Sequence, residues 1–85
     1  MGWQIRVAKR AQKTIARIPF KDQKYILQTL EEMQDDPFGG DLAKLKYERS
    51  AWRRRVGSYR LFFDVFPDRK FIDIVEITRR TSSTY

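Results

Sequence analysis

The chain has 85 residues, a formal net charge of +7, and neither cysteine nor histidine. That length holds one domain (1–85) with a modest core, and no disulfide can reinforce it. Without thiols or imidazoles the usual zinc sites, thiolate nucleophiles and histidine bases are excluded. Any catalysis is therefore expected to run on Arg, Lys, Tyr, Ser, Thr, Asp or Glu; no cofactor is expected. The opening MGWQIRVAKRAQ lacks the apolar run of a secretory signal, and no stretch is long and apolar enough to span a membrane, so the expected location is cytoplasmic.

In chain order, Ile5 and Val7 alternate with polar neighbours over Gln4–Val7, which reads as a short first strand. Ala8, Ala11, Ile15 and Ile18 then recur at helical spacing until Pro19, whose preceding residue avoids the helical region. A second helix is expected from Lys21 or Asp22, with Ile26, Leu27, Leu30 and Met33 as its apolar set. Asp35, Asp36, Pro37, Gly39 and Gly40 end it. Beyond them the period changes to two. Trp52–Val56, Tyr59–Phe66 and Phe71–Thr78 read as three strands, with turns at Gly57 and at Pro67 and Asp68. The expected fold is α+β: a helical hairpin packed on a mostly antiparallel four-stranded sheet, in the order β-α-α-β-β-β.

Charge is concentrated. Lys44, Lys46, Arg49, Arg53, Arg54, Arg55 and Arg60 face one acid, Glu48, between positions 44 and 60. Such a stripe is the electrostatic footprint of a phosphate-binding surface, or else a solvated face or a docking site for an acidic protein. Strand alternation sends Arg53 and Arg55 to one side and Trp52, Arg54 and Val56 toward the helices, with Arg54 near an edge. Arg60 shares its side with Phe62 and Asp64, whereas Tyr59, Leu61, Phe63 and Val65 read as core. An open sheet face with several arginines and an aromatic ring suits an extended single strand of nucleic acid.

The string W-R-R-R-V-G-S-Y-R at Trp52–Arg60, followed by LFFDV, resembles the RelE/ParE superfamily of toxins from type II toxin–antitoxin systems. A-K-R-A-Q-K-T-I at Ala8–Ile15, Pro19, D-D-P at Asp35–Pro37, K-L-K at Lys44–Lys46, and the closing Arg79, Arg80 and Tyr85 agree with it. The resemblance implies a RelE-like, microbial-ribonuclease-like fold. For the RelE branch it implies a ribosome-dependent mRNA endoribonuclease in which a 2′-hydroxyl attacks the adjacent phosphate without metal. It also implies a cognate antitoxin, acidic and encoded nearby, joined with the toxin in a hetero-oligomer. Arg60 would clamp the phosphate together with Arg53, Arg79 would stabilise the leaving oxygen or the phosphate, and Tyr85 would orient or deprotonate the nucleophile. Lys44, Lys46, Arg54, Arg55 and Arg80 would hold RNA or ribosome. Departures from the pattern leave a ParE-like DNA gyrase inhibitor, or a non-catalytic antitoxin- or RNA-binding member, as alternatives. The two lysines of some RelE-like nucleases fall near Ala51 and Arg53, the Asp of V-G-D-Y-R is Ser58, and the His before the final Arg is Thr78.

Overall fold

The computed structural model describes residues 2–46 and 50–79. Strand β1 (Gln4–Val7) leads into helix α1 (Lys9–Arg17), which stops at Ile18 because that residue is extended ahead of Pro19. Helix α2 (Phe20–Asp35) starts at once, with Pro19 at its N-cap and Asp22 in the first turn, where a carboxylate suits the helix dipole. It therefore begins one or two residues earlier than its apolar spacing suggests. Its buried stripe is Ile26, Thr29, Leu30 and Met33, and Leu27 falls outside it, 51% exposed. Leu27 sits about 100° round the helix from Ile26, off the face that meets the sheet.

Four short strands follow: β2 (Asp41–Lys44), β3 (Trp52–Val56), β4 (Tyr59–Phe66) and β5 (Phe71–Arg79), with a 3₁₀ turn at Pro67–Arg69 between the last two. The sheet has five strands rather than four, in the order β1-β5-β4-β3-β2; β1 runs parallel to β5 and the other pairings are antiparallel. The additional strand is β2, whose sequence DLAK is charged at both ends and follows two glycines. Short, charged strands are what protect a sheet edge, and four such residues carry too little alternation to stand out in a sequence.

Leu61, Phe63, Ile72, Ile74 and Ile77 meet Ile26, Leu30 and Met33 of α2 in one core. Each fully buried side chain contributes about 1.5–3 kcal/mol through lost apolar exposure. The spacing Ile72, Ile74, Ile77 breaks strict alternation, and a β-bulge repairs it. Phe62 pairs with Glu76 and Phe63 with Ile74, so Val75 is the extra residue and Ile77 returns to the core side. Because β1 reaches only as far as Ile74, the remaining half of β5 is flanked by α1 instead.

Candidate nucleic-acid interface

The helices cover one side of the sheet, and the other side stays open. Register places Arg53 opposite Phe62 and Phe62 opposite Glu76, while Arg55 lies opposite Arg60 and Arg60 opposite Thr78. Two rows of side chains thus cross β3, β4 and β5 on the open face. Arg55 leans outward to Asp41 at 3.0 Å, and further along the face Arg6 pairs with Asp73 at 2.9 Å. Arg10 approaches Glu76 at 3.8 Å.

Arg53 and Arg60 differ from those arginines. Both are half-buried, and the Nε atom of each is shielded from solvent with no hydrogen-bond partner. Neither guanidinium is paired with a described acidic side chain. A buried donor left unmade costs about 1–3 kcal/mol, and like charges directly across a ladder, as at Arg55 and Arg60, add repulsion. Among the described residues, Arg53 and Arg60 form a patch of positive charge with no acidic side chain paired to it. Two planar guanidiniums on diagonal positions suit an oxyanion with several acceptor oxygens, such as a phosphodiester.

Arg79 is placed elsewhere. It pairs in register with Tyr59, on the helix side of the sheet, and its guanidinium carbon lies 5.6 Å from the centre of the Tyr59 ring. The Tyr59 hydroxyl donates to Asp22 Oδ2 at 2.6 Å. Burial pushes the Tyr59 phenol above its usual range and the bond to Asp22 adds to this, while the Arg79 charge works the other way. A phenol held neutral in this way is an anchor for Arg79, not a base. The structure therefore brings Arg53 and Arg60 together and sets Arg79 on the opposite side.

The remaining residues expected at the site divide among several places. Arg54 is buried on the helix side and its Nη2 bonds Glu32 Oε1 at 2.9 Å. Rather than lying near an edge, it is enclosed by α2 and Gly40. Lys44 is exposed at the sheet edge, its ammonium 5.6 Å from the centre of the Trp52 ring, again on the helix side. Lys46 is exposed just beyond β2, and Arg55 is exposed on the open face. Arg80 and Tyr85 lie outside the described residues. Residues that sequence reading missed are the partners Asp22, Glu32 and Asp41. Each is separated in sequence from its partner by 14 to 37 positions, so only the fold reveals the pairing.

Two helices on one face of a five-stranded mixed sheet make a RelE-like α+β fold. The chain superposes on a chain of the archaeal RelE–RelB complex from Pyrococcus horikoshii OT3 with a TM-score of 0.85 and 22% identity, covering 98% of this chain and 100% of that one. The RelBE2 toxin–antitoxin complex of Mycobacterium tuberculosis gives 0.81 and 16% identity over 94% and 100%. The isolated E. coli RelE toxin gives 0.76 and 16% identity over 95% and 87%. No family model matches the sequence, and no curated protein is significantly similar to it. The likeness is one of fold.

Proposed function

We propose that this chain is the toxin of a type II toxin–antitoxin system and that it cuts messenger RNA on the ribosome. The observation that carries this reading is the Arg53–Arg60 pair, two guanidiniums on one open face whose Nε atoms have no hydrogen-bond partner among the described residues. The RelE-type fold and the R-V-G-x-Y-R string at Arg55–Arg60 agree with it. In this reaction the 2′-oxygen of a nucleotide bonds to the phosphorus of its own 3′-phosphate and loses its proton. The bond to the 5′-oxygen of the next nucleotide breaks, and that oxygen takes up a proton. Negative charge grows on the phosphate oxygens in the transition state, where prepositioned guanidiniums stabilise it most. Arg53 and Arg60 fill that role.

Arg79 and Tyr85 keep the roles that the resemblance gives them: Arg79 stabilises the leaving oxygen or the phosphate, and Tyr85 orients or deprotonates the nucleophile. For Arg79 this requires its guanidinium to leave the Tyr59 ring and round the end of the sheet when RNA arrives. The partner is an acidic antitoxin encoded nearby, matched to the net charge of +7 and to the toxin–antitoxin complexes that share this fold. Ribosomal mRNA as substrate sets the place of action in the cytoplasm. The test is to induce the chain in cells and sequence RNA 5′-ends. New ends clustered within translated codons are expected. Intact messages together with gyrase trapped on DNA would replace this reading by the ParE-like one.

A further inference from the structure

Beside both arginines stands Phe62, which makes no ring–ring or cation–ring contact among the described residues. It is half-buried on the open face, directly opposite Arg53 and two residues along the strand from Arg60. Strand spacing puts those Cα atoms about 5 Å and about 7 Å from that of Phe62. On its other side lies Glu76, paired with Arg10 at 3.8 Å, so the cations of the site lie toward Arg53 and Arg60. A phenyl face beside a cationic row, on a flat sheet, is the arrangement that stacks unpaired bases.

Resting on the reading of this face as RNA-binding, we infer that Phe62 is the platform for one base of a single RNA strand whose adjoining phosphate sits on Arg53 and Arg60. The site accordingly selects single-stranded over duplex RNA, since bases in a duplex are stacked on each other and unavailable. It belongs to the free chain and needs no ribosome to form.

The experiment is fluorescence anisotropy with the full chain and a labelled, 2′-O-methylated RNA octamer that cannot be cut, single-stranded or annealed to its complement. Wild type is expected to bind the single strand more tightly than the duplex. Phe62→Ala should weaken single-strand binding about 5- to 150-fold, the range for loss of one stacked base, with the salt slope unchanged. Phe62→Leu keeps apolar volume and should fold as wild type while losing the same affinity. Phe62→Trp should restore it and add tryptophan emission that RNA quenches. Arg60→Ala should instead lower the salt slope by about 0.7. If Phe62→Leu binds as wild type while Arg60→Ala weakens binding and lowers the slope, the platform is refuted and the phosphate reading stands. If Arg53→Ala and Arg60→Ala leave binding and slope unchanged, the phosphate reading falls with it. Equal affinity for duplex, or no binding by wild type, overturns the inference outright.

Discussion

The Tyr59 hydroxyl donates its proton to Asp22 Oδ2 at 2.6 Å and so ties the strand that carries Arg60 to the first turn of α2. The phenol is buried, and a hydrogen bond to a charged acceptor contributes about 1.5–3 kcal/mol. Tyr59→Phe should therefore lower unfolding stability by about 1–3 kcal/mol at neutral pH, read from urea midpoints with an unchanged m-value.

The same residue sets an alkaline limit. Its phenol is held above the usual value near 10, first by burial and then by Asp22. The unfolded chain loses this proton at a lower pH than the folded one, so above pH about 10 the unfolded state binds fewer protons and stability falls as pH rises. The contribution is complete below the unfolded pKa and vanishes as pH passes the folded one. Urea titrations between pH 8 and 11 should show a decline that is shallower in Tyr59→Phe. Parallel declines in both proteins would assign the alkaline loss to other groups.

Arg54 and Gly40 give a second stability test. A Cβ on Gly40 would stand 2.6 Å from Arg54 Nε, and the Gly40 φ of +80° is a conformation that side chains disfavour. Gly40→Ala must therefore displace the guanidinium from Glu32 and strain the backbone as well. A loss of about 1–3 kcal/mol is expected, the range for a side chain held at positive φ, because Glu32 is exposed and its ion pair with Arg54 contributes little. Arg54→Ala should destabilise too, while leaving the salt slope of RNA binding untouched. A lowered slope in Arg54→Ala with normal stability would place Arg54 at the RNA after all.

Much of this face was legible in the sequence because alternation is strict within each of β3 and the first half of β4. Parity alone separates Arg53, Arg55, Arg60 and Phe62 from Trp52, Tyr59, Leu61 and Phe63, and the structure keeps that division. It fails on β5 for a physical reason. Counted without interruption from Phe71, Arg79 would share the open face with Asp73; the bulge at Val75 moves every later residue to the other side. The only local mark of that extra residue is the apolar spacing of Ile72, Ile74 and Ile77, which slips by one after Ile74. Strand β2 stayed hidden because an edge strand is built to be short and polar, and the anchors Asp22 and Glu32 because their partners are distant in the chain.

The proposed antitoxin yields a prediction about charge. Co-expressed with the product of a small neighbouring gene, the chain should elute as one complex in size exclusion at micromolar concentration. Raising salt should weaken the complex where its contacts are exposed, as at Lys46 and Arg55. Arg55→Ala should change the salt dependence less than Lys46→Ala, because Asp41 already offsets part of the Arg55 charge. Independent elution of the two proteins at low salt would refute the partnership.

The last prediction separates catalysis from binding at the two sides of the sheet. In single-turnover cleavage of a programmed ribosome, Arg60→Ala should lower the rate about 10²-fold or more, with a much smaller change in ribosome affinity, because its charge acts most strongly on the transition state. Arg60→Lys keeps the charge and loses the fork, so it should fall between wild type and Arg60→Ala. Tyr85→Phe removes only a hydroxyl and should cost about 10²–10⁴-fold if the ionised Tyr85 phenolate takes the proton from the 2′-hydroxyl. Arg79→Ala and Tyr59→Phe distinguish two ways in which Arg79 can act. If the guanidinium leaves its ring to meet the RNA, Arg79→Ala should match Arg60→Ala in its effect, whereas Tyr59→Phe, which preserves the ring beneath it, should cleave nearly as well as wild type once its lower stability is allowed for. If Arg79 stays on Tyr59 throughout, as its position across the sheet from Arg60 dictates for the free chain, Arg79→Ala will change stability and leave the cleavage rate within a few-fold of wild type, and another group must then stabilise the leaving oxygen.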